Sequence, residues 1–255
     1  MNSPSHSGQH ADENDIAEAL EAKVGIDSSA VVTSHDYILT QLKLGWTYAN
    51  EAWAYASATT ITVPAGAASK YQKGDKIKWT QTSVKYAYII TVADTLLTVV
   101  GDAVTNAVIS LNYYSHQENP MGFPHWFAYT PTGPTNTNLF GRFSIDGRTV
   151  SCKISGVLTG TPNWTNMPIL PVTASANMAG GVEGQTSYEP CGVGGLFDTG
   201  TANRLNSIAP VVTASATICA LKDSDSAGNQ GAVTTTAPIT WVSGDEWWVW
   251  FTYEI

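Results

Sequence analysis

The stretch of sequence that decides the fold is Thr60–Val100, which reads TITVPAGAASKYQKGDKIKWTQTSVKYAYIITVADTLLTVV. Short runs rich in β-branched and aromatic residues alternate there with turn signals, among them Pro64-Ala65-Gly66 and Lys73-Gly74-Asp75. Polar and apolar residues alternate through KIKWT, which places Ile77 and Trp79 on one face. The stretch therefore predicts a compact antiparallel β module. It contains no obvious nucleophile, base or metal cluster.

The same kind of pattern continues toward the C-terminus, with Gly, Asn and Pro turns between short runs, as is typical of a sandwich or jelly roll. Strands are predicted at 139–145, 148–158, 168–173, 192–198, 206–220, 238–242 and 246–254. Asp146-Gly147 lies between two alternating runs and predicts a hairpin.

Helical signals are confined to the N-terminal part. A short helix is predicted from Asp12 to a stop at Gly25, with Ile16, Leu20 and Val24 along one face. A helix this short is marginal alone, so this apolar stripe needs a partner in its own domain, in another copy or in a neighbouring subunit.

Ser34 is placed to cap a second short helix, which presents Tyr37 and Ile38. We interpret the residues of both helices as oligomerisation or anchoring positions. The aromatic pairs Trp46/Tyr48 and Trp53/Tyr55 then predict two strands joined by a turn at Asn50-Glu51.

These patterns predict a mainly β fold with three segments: a short N-terminal helical anchor over 1–44, a small antiparallel β module over 45–118, and a jelly-roll-like C-terminal β-sandwich over 119–255. The boundary near 118 falls in the Pro- and Gly-punctuated segment SHQENPMGFPHW.

Composition narrows the function classes. Charged residues make up 13% of the chain, about half the usual share, which suits a turn-rich β protein or a subunit that hides surface in an assembly. A formal net charge of −9 argues against nucleic acid as a partner. Neither a signal peptide nor a membrane-inserted span is predicted. The three cysteines lack metal-ligand spacing and are interpreted as buried free thiols.

The last predicted strand, EWWVWFTYE, has an unusual pattern because both of its faces carry tryptophan. A strand with one solvated face would not place Trp248 and Trp250 there without a reason. These two residues are interpreted as a candidate subunit interface, with an exposed ligand patch as the alternative.

No set of residues predicts catalysis, a metal or a cofactor. The acidic residues that could serve a glycosidase show no pairing in their spacing; they are Glu183, Glu189, Asp198, Asp223, Asp225, Asp245 and Glu246. The segment 221–229 matches a calcium loop only in part. Trp164 lies in a turn-rich segment and is a candidate receptor contact, with a folded-back, structural position as the alternative.

Three segments of the chain resemble tailed-bacteriophage minor structural, tail and fibre proteins. The N-terminal one contains Val24–Ser28 and Thr33–Leu39, with His35 where such proteins often have Leu. The middle one covers Trp53–Lys78. The C-terminal one includes Tyr129-Thr130-Pro131, Phe143, Gly147–Val150 and Leu170–Ser175.

The resemblance implies a non-enzymatic virion appendage, made in the host cytoplasm and usually trimeric, with its N-terminal segment on other virion proteins. The distal sandwich would then face a host cell-surface glycan or protein. The expected function is a homotrimeric short fibre or a tail or collar appendage. The alternatives are a head fibre or capsid decoration protein without a specific receptor, and a carbohydrate-binding module or depolymerase.

Overall fold

The computed structural model describes residues 6–176, 191–205, 208–213, 215–224 and 230–255. The fold is mainly β, with a short N-terminal helix and antiparallel sheets, which confirms the predicted class. The two α-helices are α1 (His6–Val24) and α2 (His35–Lys43). Helix α1 begins six residues before the predicted start, so Asp12 falls in its second turn and does not open the helix. It stops at Gly25, whose φ of 80° takes the chain out of the helix.

Helix α2 is capped as its sequence predicts. The side chain of Ser34 accepts a hydrogen bond from the Tyr37 backbone N–H at 3.3 Å. This bond satisfies one of the backbone donors left open at a helix start. Helix α2 lies against the first strand of the adjoining sheet.

The first sheet contains seven strands. They are β1 (Thr47–Tyr48), β2 (Ala54–Ser57), β3 (Thr60–Thr62), β4 (Lys76–Thr80), β5 (Val84–Ala93), β6 (Leu96–Gly101) and β7 (Ser110–Ser115). Their order across the sheet is β1-β7-β4-β5-β6-β3-β2. Strands from the Thr60–Val100 stretch form its centre, and a core cluster that includes Ile61, Trp79 and Leu97 covers one face.

The other face of this sheet is also partly covered. Lys76 is buried and Lys78 half-buried, although both alternate with core residues. The Lys78 ammonium lies 4.5 Å from the ring centroids of Trp46 and Tyr113, an aromatic environment that favours its charge. Burial acts in the opposite direction and lowers the pKa of Lys78 to about 8.

Two strands flank Asn50-Glu51 as the aromatic pairs predict, but they do not pair with each other. Strand β1, which contains Tyr48, pairs with β7, whereas β2, which contains Tyr55, pairs with β3. The two strands therefore lie at opposite edges of the sheet. Alternation shows which residues share a face of a strand, but it does not specify the pairing partner.

The C-terminal half forms a large sheet and a small one. The six-stranded sheet has the order β12-β11-β16-β10-β9-β8 and the three-stranded sheet has the order β13-β14-β15. The strands are β8 (Phe127–Tyr129), β9 (Thr137–Asp146), β10 (Thr149–Leu158), β11 (Gly192–Asp198), β12 (Asn203–Leu205), β13 (Ile208–Val211), β14 (Ala220–Ser224), β15 (Gln230–Ala232) and β16 (Glu246–Glu254). Residues from both sheets share one core cluster, which gives this region a sandwich-like arrangement.

Several strand predictions in this half need correction. Segment 168–173 contributes only a single bridge, between Ile169 and Ile218, and 238–242 forms no strand. Within 206–220, the described residues form β13 and, from Ala220, the start of β14, and the described positions between them belong to no strand. These segments still supply buried residues such as Leu170 and Trp241. Apolar residues in these segments are therefore buried without belonging to a strand.

The hairpin of β9 and β10 forms as Asp146-Gly147 predicts. Asp146 pairs with Thr149 across a two-residue turn, in which Gly147 has a φ of 57°. Because both strands continue for ten residues in register, each residue of β9 has a fixed neighbour on β10.

The two halves touch through this hairpin and through aromatic rings. A Cβ added at Gly74 in the first half would lie 2.1 Å from the carbonyl oxygen of Gly147. Tyr88 of the first sheet contacts Phe123 and Phe127, at ring-centroid distances of 4.9 and 5.5 Å. The first sheet therefore packs directly on the start of the C-terminal half.

The three cysteines are free thiols, of which Cys152 and Cys219 are buried and Cys191 is partly exposed. The first two confirm the predicted buried thiols. Burial raises the pKa of Cys152 to about 12, so this thiol stays protonated and unreactive at neutral pH.

Candidate functional site

The C-terminal strand β16 gives the six-stranded sheet two different faces. Trp247, Val249, Phe251 and Tyr253 are buried, and the residues between them are exposed. Trp248 keeps 45% and Trp250 keeps 50% of its surface accessible. The sequence pattern is thus confirmed, and the predicted candidate interface lies on a face that no described part of the chain covers.

Strand register brings further side chains beside these two tryptophans. Two rows of cross-strand neighbours run from β16 through β10 to β9. The first row is Trp250, Lys153 and Arg142. The second row, two residues further along the strands, is Trp248, Ser155 and Phe140. Phe140 is 61% exposed. These six residues line most of a shallow groove of about 510 Å³, and we call it the outer-face groove.

Two cations lie within the outer-face groove. The Lys153 ammonium is 4.1 Å from the ring centroid of Trp250 and 5.0 Å from that of Trp126. The Arg142 guanidinium lies 5.8 Å from the Trp126 ring. Such contacts stabilise an exposed cation by about 0.5–1 kcal/mol.

Neither cation has an acidic partner within the described part of the chain, where the ion pairs involve other residues. On the outer face of β16 the carboxylates are Glu246 and Glu254 at the strand ends, about 13 Å along the strand from Trp250. The centre of the groove is therefore positive, on a chain whose net charge is −9.

Sequence reasoning found the tryptophans of this groove but missed Arg142, Lys153 and Phe140. Once the hairpin turn is placed at Gly147, the alternation in β9 and β10 assigns Phe140 and Arg142 to one face, with Lys153 opposite Arg142. That signal was available in the sequence. The neighbouring position of β16 was not, because it depends on pairing between distant strands.

Trp164 is not on the surface, so its assignment as a receptor contact is wrong. Its side chain is 5% exposed, and its ring centroid lies 5.1 Å from that of Trp241 and 5.8 Å from that of Trp247. The loop folds back because burial of the large apolar surface of a tryptophan at the edge of the core is more favourable in free energy than its exposure to water.

The N-terminal candidates divide into two groups. Helix α1 is exposed throughout 9–24, including Ile16, Leu20 and Val24. Tyr37 is partly exposed and hydrogen-bonds through its hydroxyl to Tyr113 of β7, so its anchoring role stays a prediction. Ile38 is partly exposed and lines a groove of about 330 Å³ between α2 and β1, so its anchoring role stays a prediction.

Two of the carboxylates that a glycosidase could use, Asp198 and Asp245, accept hydrogen bonds from residues in turns. Asp245 is fully buried and accepts hydrogen bonds from the N–H and hydroxyl of Thr199 and from the Val242 N–H. Asp198 accepts from the turn that follows it, at the Gly200 N–H and the Thr201 hydroxyl.

Other candidate chemistry falls outside what the structure describes. Glu183 and Glu189, and Asp225 of the calcium-like segment, lie outside the described residues. Within the described ranges, no group of three or more His, Cys, Asp or Glu side chains could hold a metal ion. In the same ranges, neither helix has the length and apolar character needed to cross a membrane.

Among the described residues, the outer-face groove and helix α1 each expose several apolar side chains. Comparison of the chain with models of protein families, with characterised proteins and with solved structures gives no match.

Proposed function

We propose that the chain is a structural subunit of a bacteriophage virion, a homotrimeric short fibre or a tail or collar appendage. Its N-terminal segment contacts other virion proteins, and its C-terminal half contacts the host surface. The sequence resemblance of three separate segments motivates this proposal. The exposure of helix α1 is the structural observation that supports it best.

Helix α1 exposes an apolar stripe that no described residue covers. Ile16 and Leu20 are 68% and 59% exposed, and Val24 is 45% exposed, at a spacing of four residues along one side. The helix spans 19 residues, about 28 Å, and the stability of a protein helix normally comes from packing of its apolar face rather than from the helix alone. Three parallel copies would bury the stripe at a common axis, as in a short coiled coil.

The first prediction concerns this assembly. In light scattering at micromolar concentration, we expect the full chain to have three times its monomer mass of 27.1 kDa. Leu20→Glu should shift the mass toward the monomer, because it places three carboxylates at the helix–helix contact. The control is Ala22→Glu, which adds the same charge on the opposite side of α1. A monomeric parent protein, or equal effects of both substitutions, would contradict the proposed trimer.

The second prediction concerns the virion. We expect the full chain to co-purify with particles, and a chain lacking residues 1–44 to be folded but absent from them. Residues 1–44 contain α1 and α2, whereas both large sheets begin later in the chain. Immunodetection on density-purified particles checks this outcome, with circular dichroism as the control for folding of the shortened chain. Incorporation of the shortened chain at the parental level would refute N-terminal anchoring.

The outer-face groove favours a second candidate function, a carbohydrate-binding module. An aromatic groove on a rigid sheet suits saccharide binding with or without a virion. A depolymerase would additionally need two carboxylates converging on one sugar. A head fibre or decoration protein without a specific receptor is the alternative within the virion class, and it requires no ligand in the groove.

A further inference from the structure

We propose that the outer-face groove binds an acidic saccharide, with tryptophan rings against the sugar faces and Arg142 and Lys153 at the carboxylate. This inference rests on the proposed function, because the acidic saccharide would be the host receptor that the C-terminal half contacts. The binding itself is a property of the isolated chain and can be tested without a particle.

The shape of the groove follows from the sheet. Trp248 and Trp250 form one wall on β16, and Phe140 and Arg142 form the other on β9. The walls are two strands apart, about 10 Å. On β10 between these walls, the smaller Ser155 lies between Trp248 and Phe140, and Lys153 lies between Trp250 and Arg142. A sugar seated over Ser155 would therefore meet the two cations at one end.

The lining of the groove matches the two kinds of surface that a sugar presents. The faces of a pyranose ring carry C–H groups, which pack on indole rings, and its edges carry hydroxyls, which need hydrogen-bond partners. Trp248 and Trp250 lie two residues apart on one strand, about 7 Å, so they can contact successive parts of one saccharide. Ser155 is half-buried and lines this groove, where its hydroxyl can donate or accept a hydrogen bond.

The charge of the groove selects for an acidic sugar. Arg142 presents a planar fork that matches a carboxylate, and Lys153 supplies a second positive charge on the neighbouring strand. Neither is neutralised within the described residues. The chain as a whole has a net charge of −9 and repels anions. The two cations make the groove a local exception that attracts them.

The same charges disfavour the groove as a contact between copies of this chain. The buried centre of a protein interface is depleted of charged residues. Closing the outer faces of two or more subunits on one another would bury Arg142 and Lys153 beside their own copies. Each desolvated cation would then lack a carboxylate partner on the facing groove, at a cost of several kcal/mol.

The test measures binding of the full chain to immobilised oligosaccharides that carry hexuronic or sialic acids, each paired with its neutral methyl ester. We expect binding to at least one acidic member, about tenfold or more weaker binding to its ester, and loss of affinity as salt rises. Trp250→Ala should weaken binding about tenfold or more. Arg142→Gln and Lys153→Gln should each weaken it about three- to tenfold.

Two variants in the first half of the chain serve as matched controls. Tyr55→Ala removes a 37% exposed aromatic residue from β2, and Lys73→Gln removes an exposed cation from a turn. Neither should change binding. Melting temperatures and light-scattering masses of every variant test whether its fold and assembly are unchanged.

Each remaining outcome has one meaning. Equal binding to an acid and its ester would overturn the acidic class. If nothing on the surface is bound, and Trp250→Ala instead changes the oligomeric mass, then the groove is a subunit interface and the proposal is wrong. Absence of all binding with an unchanged mass also overturns it. None of these results bears on the trimer through α1 or on particle incorporation, so the proposed function can fail or stand separately.

Discussion

Replacing Trp164 with Ala should lower the free energy of unfolding by about 3–5 kcal/mol, the usual cost of removing a buried tryptophan. The ring is 5% exposed and contacts Trp241 and Trp247, both 1% exposed. Its removal would leave a cavity where the loop closes the core of the C-terminal half. Urea denaturation followed by circular dichroism measures this effect.

The matched control is Trp248→Ala, the same substitution at a tryptophan that is 45% exposed. It should change the free energy of unfolding by no more than about 0.5 kcal/mol, as is usual for surface positions. Because both variants lose the same side chain, the difference between their free energies of unfolding measures the effect of burial. An unchanged midpoint for the Trp164 variant would mean that its loop does not close the core, and would restore it as a candidate contact.

Replacing Gly74 with Ala should destabilise the protein by more than its backbone angle alone requires. Its φ is 92°, where an L side chain costs about 1–2 kcal/mol. The added methyl would also lie 2.1 Å from the Gly147 carbonyl oxygen and 2.8 Å from the Gly147 carbonyl carbon. Both contacts are backbone, so two turns must move apart, which adds about 1–3 kcal/mol.

Gly66 provides the control for this effect. Its φ of 89° is almost the same, but an added Cβ would meet only the Ser69 hydroxyl, at 3.9 Å. Gly66→Ala therefore isolates the backbone cost, and the difference between the two variants measures the contact between the Gly74 and Gly147 turns. Equal losses in urea denaturation would show that these turns are not packed together in solution.

Local sequence determined the elements whose partners are close along the chain. The Ser34 cap, the stop of α1 at Gly25 and the hairpin at Asp146-Gly147 formed as predicted. Each depends on backbone angles and hydrogen bonds within a few residues. The alternation in β16 likewise separated Trp247 from Trp248, because side chains of a strand alternate between its faces.

Only the tertiary structure decided which strands became neighbours and which faces were covered. It placed β1 and β2 at opposite edges of one sheet, folded Trp164 into the core, and brought Trp250 beside Lys153. The last pair is separated by almost a hundred positions in sequence, and its register is set by the packing of the whole inner face. A local pattern reports that a strand has two faces. Whether the outer one meets water, a ligand or another layer depends on the rest of the chain, because burial is a property of the assembled sheets.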